Sequence, residues 1–217
     1  MKNKGAEQYY DSLADKYDFV TQNIWNAPDF IEGLTLTLTD KNTNVLDIGI
    51  GTGQSIQKLF ASKQFSQIEG IDVSDKILKI CKDKFPSINL HHGDFLSFSD
   101  FRLSKYDLII CCGTLEFISD LNTFFEKCKS LLTSKGNLVL TFEPKIYGYK
   151  MQSLSISNLQ AEEPLPTDEF LTYRYDIDEF YSLATKNGFE IHQSKLFVAY
   201  KKLNLDIIYS LVHLRLA

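Results

Sequence analysis

Val45-Leu46-Asp47-Ile48-Gly49-Ile50-Gly51-Thr52-Gly53 reads as a short apolar strand that runs straight into a glycine-rich turn. After it, Thr52 to Ser62 carries Ile56, Leu59 and Phe60 on a helical stripe. The same strand-then-helix rhythm continues outward. Gln67–Asp72 predicts a second strand, and Ser74 or Asp75 can cap a helix that runs to Lys84 before Pro86 stops it. Ile88–His91, Tyr106–Cys111 and Gly136–Phe142 predict three further strands, with a helix from Asp120 to Leu132 between the last two. Strands alternating with helices at this spacing imply an α/β fold, a doubly wound and mostly parallel sheet with helices on both faces.

The two ends depart from this rhythm. Residues 1–40 read as a helical cap, with Tyr9, Leu13 and Tyr17 along one face, ahead of a core over 41–143. Residues 144–176 hold three of the five prolines and no clear period, which predicts a lid or insertion after strand five. Over 177–217, a helix runs from Ile177 to Asn187, and Gly188 is placed to stop it. Phe189–His192 and Phe197–Lys201 predict a final hairpin. Asp206–Leu216 is expected to dock on the core or, through Ile207, Ile208, Leu211 and Val212, on a second copy in a homodimer.

Composition narrows the function. A chain of 217 residues with 44% hydrophobic and 24% charged residues fits a single globular domain and excludes a mostly disordered one. No apolar run approaches the ~20 residues of a spanning helix. Met1–Tyr10 lacks the apolar stretch of a signal peptide, so the expectation is a cytoplasmic protein without membrane association. The net charge of -5, with Lys201-Lys202 as the only adjacent basic pair, disfavours RNA and DNA as partners. Cys81, Cys111, Cys112 and Cys128 form no Cys-x-x-Cys pair, so no metal site is expected and buried thiols are the plainer reading.

The glycine turn holds the chemistry. Ligands of doubly wound sheets bind at the carboxyl ends of the strands, and glycines there admit a ligand close to the backbone. A dinucleotide turn needs Gly-x-Gly-x-x-Gly, but Gln54 stands where its third glycine belongs. Asp47 at the strand end would repel a pyrophosphate and attract an ammonium group.

Asp47, Gly49, Gly51 and Gly53 resemble the Asp-x-Gly-x-Gly-x-Gly hallmark of the class I S-adenosylmethionine-dependent methyltransferases. The resemblance continues in register over roughly residues 5 to 200. It implies a seven-stranded Rossmann-like sheet with an antiparallel last strand, S-adenosylmethionine as cofactor with S-adenosylhomocysteine as product, and no metal. Asp72, with Val73 beside it, would grip the ribose hydroxyls. Asp94 would accept from the adenine amine, and Phe95 would pack against the ring. Cys111 ends the fourth strand beside the methionine part, and Tyr17 of the cap would touch the methionine end.

Substrate candidates are Tyr10, Glu116, Tyr147, Tyr173 and Arg174, with Tyr149, Met151 and Phe170 as further pocket aromatics and apolar residues. Each has a plainer reading. Glu116 could be a solvated acid at a helix start, and Arg174 a surface partner of Asp176 or Asp178. His91 and His92 read as structural. No acid–base pair stands out, so the catalytic residue is left unassigned. The reaction implied is in-line displacement at a sulfonium methyl, with a small-molecule acceptor through O, N, S or C. A protein or RNA methyltransferase and a non-catalytic cofactor-binding module are the alternatives.

Overall fold

The computed structural model describes residues 4–146, 172–202 and 204–217. Seven strands form one sheet: β1 (Asn44–Ile48), β2 (Gln67–Asp72), β3 (Asn89–His92), β4 (Tyr106–Cys112), β5 (Leu132–Phe142), β6 (Phe189–Lys202) and β7 (Leu205–Leu216). Their order is β3-β2-β1-β4-β5-β7-β6. The first five pair in parallel; β7 runs antiparallel between β5 and β6. The mostly parallel sheet is the one that the strand–helix rhythm implies, and its seven strands with an antiparallel last strand are what the resemblance implies.

Central strands of such a sheet are covered on both faces and read as continuous apolar runs. Val45 to Ile48 in β1 and Leu108 to Cys111 in β4 are all buried for that reason. Alternation sorts their side chains into two layers. Leu46, Ile48, Ile109 and Cys111 pack against α6 (Leu121–Leu131) and α7 (Ile177–Lys186). Val45, Leu108 and Ile110 pack against α3 (Ala27–Leu38), α4 (Gln57–Ser62) and α5 (Asp75–Lys84). The N-terminal segment adds α1 (Lys4–Leu13) and α2 (Tyr17–Thr21), joined by a 3₁₀ turn.

Caps follow the sequence where polar residues precede apolar stripes. Ser74 Oγ accepts from the Ile77 N–H at the start of α5, and Asp120 accepts from Thr123 N–H at the start of α6. Gly188 takes a φ of +86° after α7.

Three expectations need correction. The helix from Thr52 to Ser62 is instead a 3₁₀ turn, Gln54–Ile56, followed by the six-residue α4. Too short a helix remains for a strong dipole at the turn. Phe189–His192 and Phe197–Lys201 do not pair with each other: they are one 14-residue edge strand, β6. Register shifts after Ile191 and Val198 break its alternation, which hid its continuity. The segment from Asp206 is strand β7, and the hairpin turns next to Asn204 at φ +63°. Of the stripe expected for a homodimer, Ile207, Leu211 and Val212 are at most 4% exposed and lie inside the core, while Ile208 is half-buried.

Of the expected insertion, 147–171 lie outside the described residues, and with them Tyr147, Tyr149, Met151 and Phe170. Its two described ends meet, with Pro144 bridging Tyr175.

Candidate functional site

At the end of β1 the chain turns over the end of β2. Gly49 N–H donates to Ile71 O at 2.8 Å, and Gly49 and Gly51 take φ of +69° and +56°. A side chain at Gly51 would meet nothing closer than 4.0 Å, so its glycine leaves open space above the backbone. Asp72, at the end of β2, closes the turn: its Oδ2 accepts from Gly51 N–H at 3.0 Å and its Oδ1 from Ser74 N–H at 2.9 Å. Burial raises the Asp72 carboxyl above its usual range, and these backbone donors oppose that rise.

Asp47 lies fully buried beneath the same turn. Its Oδ2 accepts from Ser55 Oγ at 2.5 Å, while Oδ1 has no hydrogen-bond partner among the described residues. Burial pushes its carboxyl up to about 7, partly offset by Ser55. An unpaired buried carboxylate oxygen is costly, and a cationic group nearby would relieve that cost.

A cavity of about 450 Å³ opens beside the turn. That volume lies within the range of small-molecule sites. Gly49, Gly51, Asp72, Val73, Asp94 and Phe95 line it from the sheet, and Tyr10 and Tyr17 from the cap. These eight predicted residues, from three strand ends and the cap, therefore meet at one place. Asp94 also holds its own turn, accepting from Leu96 N–H at 3.2 Å. Phe95 is 5% exposed and packs edge-on against Phe124, so it serves the core as well as the cavity wall.

Other predicted residues fall elsewhere. Gly53, at φ +84°, faces the Phe85 ring and Cys81. The Cys111 side chain points to the α6–α7 side of the sheet, and its neighbour Cys112 lines the cavity instead. Side chains alternate along a strand, so a pair of adjacent cysteines can present only one to each face. Cys81, Cys111, Cys112 and Cys128 are unbridged, and burial raises every one of their thiols, which suits apolar packing and not nucleophilic use.

A second, smaller cavity of about 100 Å³ adjoins the first and shares Tyr10, Tyr17, Cys112, Gly113 and Phe117 with it. Its remaining wall includes Tyr9, Trp25, Tyr200, Tyr209 and Glu116. Glu116 is 2% exposed, not solvated. Its Oε1 accepts from Glu143 N–H at 2.8 Å; its Oε2 has no partner among the described residues. Burial pushes its carboxyl up to about 7. Arg174 pairs with the buried Glu143 at 2.9 Å and not with Asp176 or Asp178. The Pro144–Tyr175 bridge carries it alongside the end of β5. Tyr173 meets the site through its backbone, donating to Glu116 O at 2.7 Å. Neither Tyr173 nor Arg174 lines either cavity.

Sequence reasoning missed the residues that fasten the cap. Asp18 accepts from Thr52 Oγ1 at 2.6 Å and Gln54 Nε2 at 2.9 Å, and pairs with Lys84. Desolvation would raise its carboxyl, but these partners outweigh it and hold it below the usual range. Asp11 accepts from Ser74 Oγ at 2.6 Å. Both acids stand in Tyr10-Asp11-Ser12-Leu13-Ala14-Asp15-Lys16-Tyr17-Asp18, where acids three or four apart look like ordinary surface charge. Thr114 and Phe117 were also missed; only their place after β4 marked them. His91 Nε2 lies 2.7 Å from the buried Glu69; His92 Nε2 lies 2.9 Å from Val73 O, and His92 also lines the larger cavity.

Among the described residues no group of three His, Cys, Asp or Glu is placed to hold a metal ion, and no helix is long and apolar enough to cross a membrane.

Residues 45–136 match the family model described as a methyltransferase domain. Over 159 residues the chain is 30% identical to malonyl-[acyl-carrier protein] O-methyltransferase 1 of Ilyobacter polytropus, covering 71% of this chain and 58% of that protein. It is 25% identical to demethylmenaquinone methyltransferase of Thermotoga maritima, covering 89% of this chain and 92% of that one. The chain thus spans less than two thirds of the first relative and nearly all of the second. Among solved structures, magnesium protoporphyrin IX methyltransferase from Synechocystis PCC 6803 with bound SAH (S-adenosylhomocysteine) superposes with a TM-score of 0.74 over 100% of both chains at 16% identity, a likeness of fold.

Proposed function

Since the chain belongs to the S-adenosylmethionine-dependent methyltransferases of Rossmann-like fold, we propose that it moves the sulfonium methyl of that cofactor onto a small organic acceptor. One observation carries the reading: a cofactor-sized cavity and a small aromatic cavity share a wall made of Tyr10, Tyr17, Cys112, Gly113 and Phe117. In-line transfer needs the acceptor atom in contact with the sulfonium methyl, so the two ligands must meet at this shared boundary.

The residues present suit the cofactor. The open space over Gly51 is a cradle that a side chain would partly fill. Asp47 lines neither cavity; from beneath the turn its unpaired Oδ1 would supply negative charge toward the ammonium end. Asp72 is held rigid by two backbone donors, which leaves its remaining lone pairs for two ribose hydroxyls. Asp94 and Phe95 line the same cavity, where they would meet the adenine. The cap, fastened through Asp11 and Asp18, keeps Tyr10 and Tyr17 over the methionine end.

The bound cofactor supplies an activated methyl, so the chain needs to generate no strong electrophile. Its own work is alignment and exclusion of water, and alignment alone is worth on the order of 7–11 kcal/mol. The small volume of the aromatic cavity supports a small molecule as acceptor, over a protein or RNA segment, which would need an open face.

Calorimetric titration tests this reading. S-adenosylhomocysteine is expected to bind one-to-one with micromolar affinity, and NAD not at all. Absence of S-adenosylhomocysteine binding would remove the proposed reaction, and NAD binding alone would make the glycine turn a dinucleotide site.

A further inference from the structure

The smaller cavity says more about the acceptor than its size alone. Aromatic side chains from four elements surround it: Tyr9 and Tyr10 of α1, Tyr17 of α2, Tyr200 of β6 and Tyr209 of β7, with Trp25 ahead of α3. Its volume of about 100 Å³ is of the same order as the ~150 Å³ cavity that accommodates benzene. Rings packing against rings favour a flat aromatic guest. Among the described residues lining it there is no lysine, arginine or histidine. A carboxylate acceptor would find no counter-charge there. Arg174 is not in its wall: its Nη2 pairs with Glu143, and its Nε is buried without a partner among the described residues.

One polar feature interrupts the apolar wall. Glu116 lines the cavity, is 98% withdrawn from solvent, and leaves Oε2 with no partner in full hydrogen-bond geometry, the Tyr209 hydroxyl standing near it, while Oε1 is fixed by Glu143 N–H. A group of this kind is held in one orientation and can still take a donor at Oε2. We infer that the acceptor is an uncharged single aromatic ring carrying a hydroxyl, and that Glu116 is the catalytic base that takes the hydroxyl proton. This rests on the methyltransferase reading above.

The step balances. The ring oxygen gives a lone pair to the methyl carbon as the carbon–sulfur bond breaks. The electron pair of that bond stays on sulfur, leaving a neutral thioether. The hydroxyl proton passes to Oε2 of the Glu116 carboxylate, so a sulfonium cation and a carboxylate anion are both neutralised. A base is most useful when its pKa lies near the working pH, and burial pushes Glu116 up to about 7. The groups that act on it are Glu143 at the end of β5, Tyr209 and Tyr200 of the last hairpin, Tyr10 of the cap, Cys111 and Cys112 of β4, and Arg174 and Tyr175 ahead of α7. Burial raises each of these tyrosines and cysteines, so they stay neutral through neutrality.

Trp25 is the only tryptophan in the chain and lines this cavity, so its fluorescence reports occupancy directly. The probes are phenol and toluene, titrated into the whole protein saturated with S-adenosylhomocysteine at pH 6 and pH 8. Ionised Glu116 accepts from the phenol hydroxyl. Phenol should therefore bind up to about tenfold more tightly at pH 8 than at pH 6, as a group with a pKa near 7 ionises. Toluene should show no such change. In Glu116→Gln the pH dependence of phenol binding should vanish, while S-adenosylhomocysteine titrates as in the unaltered protein. Equal binding of phenol and toluene at pH 8 in the unaltered protein would overturn the inference, even if the variant failed to fold. So would a pH profile that persists in Glu116→Gln. Loss of S-adenosylhomocysteine binding in the unaltered protein would instead overturn the methyltransferase reading itself.

Discussion

Replacing Asp72 by alanine is expected to weaken S-adenosylhomocysteine binding by about a hundredfold or more. Asp72 lines the larger cavity, and its carboxylate is fixed by Gly51 N–H and Ser74 N–H. A hydrogen bond to a charged group is worth about 1.5–3 kcal/mol, and two ribose hydroxyls make two of them. A loss near 3 kcal/mol corresponds to about two decades in Kd. Alanine also frees the Gly51 N–H, so the glycine turn loses an anchor. Asp72→Asn keeps one oxygen acceptor of the same shape but no charge, and sets its amide NH2 against one of the two backbone donors, so it should bind and melt between the other two. If Asp72→Ala bound S-adenosylhomocysteine as tightly as the original, the carboxylate would have only a structural role in the turn. Calorimetry on the three proteins, beside their melting temperatures, makes the comparison.

The second large effect is on stability. Gly49→Ala should destabilise the protein by about 2–6 kcal/mol, because two costs add. Its φ of +69° lies in the left-handed region, which costs a non-glycine residue about 1–3 kcal/mol. Its new Cβ would also lie 2.0 Å from Thr114 Oγ1 and 2.7 Å from Thr114 Cβ. Overpacking of that kind costs typically 1–3 kcal/mol, and here the backbone of the β4 turn would have to move. Gly51→Ala, with open space around its Cβ, should cost less although its φ is also positive. Denaturant midpoints at unchanged slope would measure both. Thr114→Gly in the Gly49→Ala background should restore part of the loss, since it removes the clash but not the backbone strain. A Gly49→Ala protein as stable as the original would mean that the turn can relax, and that the close contact between the first and fourth strand ends is not a fixed feature.

The legibility of this molecule in its sequence follows from how local each signal is. β4 was readable because Leu108 to Cys112 is an unbroken apolar run of the kind a buried parallel strand makes; β1 and β2 each carry an acid inside, Asp47 and Glu69, and were read from the apolar residues around it. The caps at Ser74 and Asp120 were readable because their partners are three residues away. The last hairpin was not. β6 is an edge strand with two register shifts, so Gln193 to Lys195 interrupt its apolar pattern as a loop would. β7 then looked like an amphipathic segment in search of a partner. That partner is β5, more than 60 residues earlier in the chain, a pairing that no short window of sequence contains.

The site divides in the same way. Gly49, Gly51, Asp72 and Asp94 each end a strand, and a parallel sheet gathers strand ends at one edge, so a motif at each end sufficed. Choosing between Cys111 and Cys112 required the phase of β4 to within one residue. Glu116 and Arg174 were named without their partners: Glu143, which joins them, lies 27 residues beyond one and 31 before the other. The latch through Asp11 and Asp18 depends on how the cap sits on the turn, which no periodicity encodes.

The most direct test of the account is diffraction from crystals of the protein grown with S-adenosylhomocysteine. The predicted result places the ribose hydroxyls on Asp72, the adenine beside Asp94 and Phe95, and the sulfur against the wall of Tyr17, Cys112 and Gly113, facing the aromatic cavity. A sulfur turned away from that wall, or S-adenosylhomocysteine bound elsewhere on the protein, would contradict it.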